Sequence, residues 1–414
     1  MNNLYLIINA GSSSLKFSLY EMPENNEIVS GYVEKIGQLE SFYTLKFNGN
    51  KKEVSKVIMN HDEAVNVMLE ELLANQFITS ITDIKGVGHR VLHGGEIYSE
   101  SVLITDEVVK NIESLTNLGP LHHPGQLAGI NAMRKKLGDV IQVAVFDTAF
   151  HQTIPEVNYM YATPYEWYTN YGVRKYGFHG TSHKYITEYM QNWYEREDVN
   201  LIICHIGSGA SISCIKNGQC FNTTMGLTPL DGLIMGTRSG NIDPSIIEYI
   251  CKMENKTVAE VTNELNKKSG LLGISGKNDF RDVDALANAG NKNAILARNM
   301  FKKSIVNYIS QYYFELQGKV DAIVFTAGVG ENAQNLREEI IMDIKDVMNI
   351  EFDALENQKI GRGKEKTTGL ISSNSSLIAC LVVPTNEEYM ILKDTYEISQ
   401  LMDKNDEYKR VLSR

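Results

Sequence analysis

The sequence predicts an α/β fold, and three observations carry that prediction. Apolar runs of strand length alternate with longer stretches of helical periodicity. Each apolar run stops at polar, Gly or Pro residues. One early stretch, Leu6-Ile7-Ile8-Asn9-Ala10-Gly11-Ser12, is echoed by Ile202-Ile203-Cys204-His205-Ile206-Gly207-Ser208 in the middle of the chain. In both, a buried strand ends in a polar residue, then x-Gly-Ser, and an alternating strand follows. The apolar phase slips by one residue between the copies, so coincidence and two halves of related design both remain open. A chain of 414 residues is long enough for two domains of ordinary size.

In order, the predicted buried strands are Tyr5–Asn9, Ile141–Phe146, Leu201–Ile206, Ala322–Thr326 and Leu377–Val383. Asp62 is placed to cap a helix running through Asn75, and Thr105 one ending near Gly119-Pro120. Asp243-Pro244 reads as an N-cap with proline at the first helical position. Lys292–Gln317 reads as a long helix stopped by Gly318. The polar stretch Asn357–Ser376 reads as a surface excursion.

Composition is that of an ordinary globular chain, 43% hydrophobic and 22% charged. Lys and Arg number 40 against 51 Asp and Glu, a net charge of −11. That argues against nucleic-acid and anionic-membrane partners, which need a basic face. The start lacks the basic and apolar regions of a signal segment, and no stretch approaches a membrane span. Five cysteines without a CxxC pattern read as reduced thiols of a cytoplasmic protein.

Five constellations can carry chemistry. Asn9-Ala10-Gly11-Ser12-Ser13-Ser14-Leu15-Lys16 offers small residues, hydroxyl donors and a lysine to phosphate oxygens, or is a plain polar hairpin turn. It lacks the Gly-Lys-Ser/Thr of a Walker loop. Phe325-Thr326-Ala327-Gly328-Val329-Gly330-Glu331-Asn332 puts glycines at a strand end before a helix from Ala333, a ligand crevice or a tight turn. Arginines stand among glycines in His89–Gly95 and Gly236–Gly240, where a guanidinium fork suits carboxylate and phosphate oxygens, or a structural ion pair. Tyr176–His183 exposes a histidine before a helix start. The pairs His89/His93 and His179/His183 have the i, i+4 spacing of zinc ligands, but neighbouring glycines and the missing HExxH weigh against it. Asp147 follows a buried strand and can orient a cation, a water or an arginine, or cap the next segment. Pro384-Thr385-Asn386-Glu387-Glu388 puts acidic residues at a helix start, for Mg²⁺ through water or for the first helical turn.

In order and spacing these motifs closely resemble the acetate kinase family. The resemblance runs through Asn9–Lys16, His89–Gly95, Phe146–His151, Arg174–His183, Met235–Pro244, Asp279–Arg281, Phe325–Asn332 and Thr385–Glu388. It implies two duplicated actin-like ATPase (ribonuclease H-like) domains flanking a nucleotide cleft. The expected division is 1–148 with a returning C-terminal helix in 386–414, and 149–385 carrying most nucleotide contacts. It implies reversible in-line phosphoryl transfer between ATP and acetate, giving acetyl phosphate and ADP, in a cytoplasmic homodimer. Propionate or another short-chain acid, or a non-kinase actin-like ATPase, are the alternatives. Asn9 and Glu387 are the implied Mg²⁺ pair, with Mn²⁺ able to substitute. Ser12, Ser14 and Lys16 are implied as one phosphate loop, and His205, Ile206, Gly207, Ser208 and Gly209 as a second. Asp279, Phe280, Arg281, Gly328, Val329, Gly330, Glu331 and Asn332 are implied on the nucleoside side. Arg90 and Arg238 are the implied carboxylate and transition-state clamp, with His179 stabilising, His122 nearby and Asp147 orienting. Leu92, Leu121, Phe178 and Pro229 are the implied pocket for the acyl methyl. The chain departs from the usual family residues at His123, Ser208 and Asn241, where Asn, Asn and Asp are common. A carboxylate acceptor is already anionic at neutral pH, so the expected need is positive charge, not a base.

Overall fold

The computed structural model describes residues 3–120 and 122–404. The chain divides into two compact units, Met1–Ala149 with Asn386–Arg414, and Phe150–Thr385. The first boundary thus falls after Ala149, not after Thr148.

Unit 1 is built on an eight-stranded sheet of order β5-β4-β3-β2-β1-β6-β8-β7. Its strands are β1 Leu4–Ala10, β2 Ser14–Glu21, β3 Asn26–Glu34, β4 Phe42–Phe47, β5 Asn50–Ser55, β6 Ile84–Val91, β7 Val102–Leu103 and β8 Ile141–Phe146. From Leu4 to Ile8 the β1 sequence is apolar because both faces are covered. Leu4, Leu6 and Ile8 join Val65, Met68 and Leu72 of the helix His61–Ala74 and Met133 of the helix His123–Leu137. Tyr5 and Ile7 face the other way and pack with Ile391 and Leu392 of the helix Glu387–Lys404. Each such aliphatic side chain contributes about 1.5–3 kcal/mol on burial. Gly88 in β6 admits this helix: a Cβ there would lie 2.4 Å from Thr395 Oγ1.

Unit 2 is built on a six-stranded sheet of order β11-β10-β9-β12-β14-β13. Its strands are β9 Leu201–Ile206, β10 Ala210–Lys216, β11 Gln219–Thr223, β12 Ala322–Thr326, β13 Gly369–Leu370 and β14 Ala379–Val382. The two sheets share one plan. In unit 1, β3, β2 and β1 are antiparallel neighbours, and β1, β6 and β8 run parallel. In unit 2 the same holds for β11, β10 and β9, and for β9, β12 and β14. The sequence echo is therefore a duplicated hairpin, β1–β2 and β9–β10.

Registers explain the phase slip. The innermost pair is Ala10 with Leu15 in one hairpin and Ile206 with Ala210 in the other. The first turn, Gly11 to Ser14, is thus one residue longer than the second, Gly207 to Gly209. Because side chains alternate faces, that one residue shifts every later apolar position when the glycines are aligned.

Helix boundaries differ from the sequence reading where a better cap was available. Asn60, not Asp62, caps His61–Ala74 by accepting from Glu63 N. Thr105 does cap a helix, but it ends at Ser114 and a 3₁₀ turn fills Thr116–Leu118 before Gly119. Pro244 takes the cap position itself, with Asp243 accepting from Ser245 N at 2.9 Å. The long helix is Lys292–Glu315, with Gly318 in the left-handed region just beyond it. The glycine motif after β12 is itself a short helix, Ala327–Asn332, and the next begins at Gln334. The polar excursion is partly internal: Asn357 and Ile360 are fully buried. No described helix is long and apolar enough to cross a membrane.

Candidate active site

In unit 1 the candidate residues gather at the strand ends β1, β6 and β8 and at the start of the helix Glu387–Lys404. Arg90, in β6, donates from Nε to Asp147 Oδ1 at 3.0 Å and from Nη2 to Asp147 Oδ2 at 2.7 Å. Asp147 is 1% exposed and sits just past β8, where its backbone N–H donates to Val91 O. Both carboxylate oxygens therefore meet one guanidinium, a planar bidentate match. The pair raises the Arg90 pKa, chiefly through the charge of Asp147 and secondarily through Glu387. Burial raises the Glu387 carboxyl pKa, against the opposing pull of Arg90.

The turn after β1 is held from outside. Gly11 N donates to Ser14 O at 2.8 Å, closing it, and His61 Nε2 lies 2.8 Å from Gly11 O. Gly125 backs directly onto it: a Cβ there would come within 2.4 Å of Gly11 O. Neither His61 nor Gly125 was singled out from the sequence, and only the Pro-Gly step at 124–125 hinted at a close approach. Ser12 is exposed and Ser14 half-buried. Lys16 pairs with Asn9 across the strands and lines a recess with Ser18, Tyr32 and Glu388 on the sheet face. Leu92 is buried after β6, its N–H donating to Gln126 Oε1 at 3.1 Å. His122 is exposed at the N-cap of His123–Leu137, and Leu121 lies outside the described residues. His123 is buried, its Nδ1 3.2 Å from Ile112 O. His89 belongs to a strand, not a helix. Burial pushes its pKa down to about 4, and Nε2 lies 2.8 Å from Gln142 Oε1.

In unit 2 a cavity of about 570 Å³ brings together three segments distant in sequence. Gly207 and Ser208 come from the second turn, Asp279, Phe280 and Arg281 from a helix start, and Gly328, Val329 and Asn332 from the short helix after β12. Gly236, Asn278 and Arg362 join them and were not among the nucleotide contacts expected from the sequence. Gly236 N donates to Ser208 O at 3.1 Å, and Arg362 N to Asn332 Oδ1 at 2.6 Å. Arg281 pairs bidentately with Asp279, whose pKa falls to about 2 through those hydrogen bonds. Of the remaining predicted nucleotide contacts, Ile206 and Gly330 are buried, and Glu331 Oε1 accepts from Thr385 N at 3.3 Å. The short helix is held by Arg337, which is 1% exposed. Its Nη1 donates to Gly330 O and Glu331 O, its Nε to Asn357 Oδ1, and its Nη2 to Asn357 O and Ile360 O.

Arg238 differs from Arg90. Its Nη1 reaches Pro229 O at 3.3 Å and Met235 Sδ at 3.4 Å, and burial lowers its pKa. It makes no ion pair with a carboxylate among the described residues. Asn241, close by, accepts from Gly232 N at 2.7 Å and donates to Tyr308 Oη at 2.6 Å, so it fixes the loop without touching Arg238. His179 is the N-cap of the helix Gly180–Tyr194 and holds a left-handed conformation, φ 58° and ψ 23°. Its ring stacks on His205 at 4.2 Å. Phe178 is buried, and its carbonyl meets His151 Nε2 at 2.9 Å.

The sequence pattern of the acetokinase family matches residues 4–393. Acetate kinase of Acholeplasma laidlawii is 50% identical over 395 residues, 95% of this chain and 98% of that protein. That of Staphylococcus saprophyticus is 49% identical over 404 residues, 97% of this chain and 100% of the other. The crystal structure of Porphyromonas gingivalis acetate kinase superposes with a TM-score of 0.90 at 42% identity, covering 96% of this chain and 99% of that one. A propionate kinase from Francisella tularensis gives 0.89 at 39%, covering 95% and 99%. The fold is accordingly two duplicated actin-like ATPase domains of the ribonuclease H type, as the matching strand orders require. With the motifs in one order along nearly its whole length, the chain belongs to the acetokinase family.

Proposed function

We propose that this protein transfers a phosphoryl group directly and reversibly between ATP and acetate, forming acetyl phosphate and ADP. The observation that carries the reading is the Arg90–Asp147 pair. Both Asp147 oxygens are occupied by a guanidinium, so this carboxylate orients an arginine and is poorly placed to take a proton. That is what an acceptor already ionised at neutral pH needs. Phosphoryl transfer is then a problem of positioning and of charge, since two anions must approach.

Arg90, with Nη1 outside its pairing to Asp147, takes the acyl carboxylate. Arg238, a half-buried cation without a carboxylate partner among the described residues, stabilises the equatorial phosphoryl oxygens. His179 donates to the same group. The unit 2 cavity takes the nucleoside and the α- and β-phosphates, with Ser12, Ser14 and Lys16 of unit 1 as further phosphate contacts. Leu92, Leu121, His122, Phe178 and Pro229 bound the acyl group.

Asn9 and Glu387 suit Mg²⁺, or Mn²⁺ in its place. They offer hard oxygen donors, and Mg²⁺ takes one or two carboxylates and keeps several waters. Burial already disfavours the charged form of Glu387 despite Arg90, so a cation there offsets a cost built into the fold. When bound, the metal neutralises charge on the nucleotide phosphates.

Propionate is the second reading, favoured by the likeness to a propionate kinase. A side chain of leucine size at Leu92 limits the acyl pocket, and one methylene changes discrimination by about 1–3 kcal/mol. Trapping the acyl phosphate with hydroxylamine, from ATP with acetate, propionate or butyrate, decides between them. Acetate is expected to give the highest kcat/KM and propionate a lower one. ATP turnover independent of any acid would refute the kinase reading.

We also read the protein as a cytoplasmic homodimer. Its cysteines are free and four of the five are buried. The helix Ser245–Glu254 has no buried residue, leaving Ile246, Tyr249 and Met253 41%, 62% and 66% exposed. Sedimentation at micromolar concentration should show a dimer, and a monomer would refute it.

A further inference from the structure

Ser211 lies in β10, fully buried, with its Oγ 2.9 Å from His179 Nδ1 and 2.7 Å from His183 Nε2. A hydroxyl has one proton and can accept twice, but Ser211 Oγ has no other acceptor than these two rings among the described residues, so its proton goes to one ring and it accepts from the other. Two arrangements are possible. In the first, His183 Nε2–H donates to Ser211, and Ser211 donates to His179 Nδ1. In the second, His179 Nδ1–H donates to Ser211, and Ser211 donates to His183 Nε2.

His183 decides between them. It is fully buried, and burial holds its pKa well below the ordinary value, so the ring is neutral and carries one proton. Its Nδ1 is buried without a hydrogen-bond partner among the described residues. In the first arrangement that atom is a bare lone pair. In the second it is an N–H with no acceptor. A buried orphan N–H is the rarer and more costly of the two.

We infer that Ser211 and His183 are positioning residues that fix neutral His179 as the tautomer protonated on Nε2. The inference rests on the role proposed for His179. It gives that role its chemical form, an N–H donor on the ring edge nearest the second turn. A Cβ on Gly209 would lie 3.5 Å from both His179 Nε2 and Cε1, and 3.4 Å from Arg238 Nη1. A fixed donor beside a fixed cation suits a phosphoryl oxygen gaining charge. The ring has little freedom to choose otherwise. Its backbone is left-handed, which a non-glycine residue adopts at a cost when the surroundings demand it. Its face is stacked on His205, whose own Nδ1 lies 2.7 Å from Ser182 Oγ.

The test is a long-range ¹H–¹⁵N correlation spectrum of the full chain carrying ¹⁵N-histidine, at about pH 8, where an ordinary imidazole is neutral. The spectrum of His179→Asn assigns the His179 signals by their loss. The expected wild-type pattern is a pyridine-like Nδ1 and a pyrrole-like Nε2 at His179, and a protonated Nδ1 would overturn the inference. Ser211→Ala should turn that pattern into a tautomer mixture. It should lower kcat about tenfold or more, as for other histidines whose tautomer is fixed by a partner. KM for ATP and acetate should stay within about twofold, and Ser211→Thr, which restores the hydroxyl, should recover the wild-type pattern. An unchanged His179 pattern in Ser211→Ala also overturns the inference. Should Ser211→Ala fail to fold, the wild-type spectrum still decides. Full turnover in His179→Asn would instead refute the role of His179 and leave its tautomer standing.

Discussion

In the β1–β2 hairpin the strand-end residue Asn9 pairs with Lys16. In β9–β10 the topologically equivalent residue His205 pairs with Ser211. The two pairs occupy the same place in their sheets, yet their surroundings are opposite. Lys16 is exposed on the sheet face, whereas Ser211 is fully buried between two imidazoles. The arginines differ in the same way. Arg90, in the first unit, is matched by Asp147 and lies near Glu387. Arg238, in the second, has only a carbonyl and a thioether among the described residues. Arg90 thus holds its positive charge in balance with a carboxylate, and Arg238 holds its own without one among the described residues. Duplication supplied the scaffold twice, and the side chains at matching positions then took on different chemistry: an amide and an exposed ammonium in one copy, an imidazole and a buried hydroxyl in the other.

The sharpest test of this contrast is Arg238→Ala. With no carboxylate to neutralise it, Arg238 should contribute its full charge, and its loss should raise the barrier by about 3–4 kcal/mol, several hundredfold in turnover. The thermal melt should show an intact fold. Arg90→Ala should lose most activity too. Near wild-type acyl phosphate formation in either variant would refute the clamp.

Asp147→Asn should cost less than Arg238→Ala, about ten- to a hundredfold as for other groups that only orient a functional partner, because Arg90 keeps its charge and loses only its orientation. The loss should fall partly on KM for acetate. If Asp147→Asn is the more damaging change, Asp147 acts on a proton or on the metal and not as the partner of Arg90 alone.

Glu387→Gln separates stability from activity. Burial holds this carboxyl above its ordinary pKa, so the folded state binds its proton more tightly than the unfolded state. The ionised form therefore costs stability at neutral pH, and that cost disappears as pH falls through the raised folded-state value. Without Mg²⁺, Glu387→Gln should melt higher than wild type at neutral pH, with the difference closing in acid. Its Mg²⁺ requirement should rise about tenfold or more. A lower melting temperature at neutral pH would show that Arg90 outweighs burial.

Gly125→Ala probes the outer support of the first turn. A Cβ 2.4 Å from Gly11 O must displace it, and overpacking of this kind costs about 1–3 kcal/mol. KM for ATP should rise several-fold. The smallest effect is expected at Arg281, which is 88% exposed and paired on the surface with Asp279. Arg281→Ala should change stability by less than about 1 kcal/mol and KM for ATP only slightly.

The buried central strands were legible in the sequence alone, because β1, β8, β9 and β12 are apolar runs bounded by residues that break them. The sequence also carried an echo of the duplication, since two buried strands ended in the same way, but the strand orders were needed to tell that echo from coincidence. Family motifs supplied Arg90, Asp147, Arg238 and Glu387 by position, because chemistry of that kind needs particular side chains at strand and helix ends. Tertiary structure decided the rest. Whether Asp147 faced a proton, a metal or an arginine depended on β6 and β8 lying side by side, a pairing across residues far apart in sequence. The turn length that shifts the echo appeared only in the strand registers. Gly125, Arg337 and Ser211 left little local trace. A glycine that lets a helix approach a turn, an arginine whose donors are shared among carbonyls, and a serine between two histidines are defined by neighbours the chain meets only when folded. Local composition selects which elements form. Contacts between distant elements select which charges are balanced by a partner and which are not.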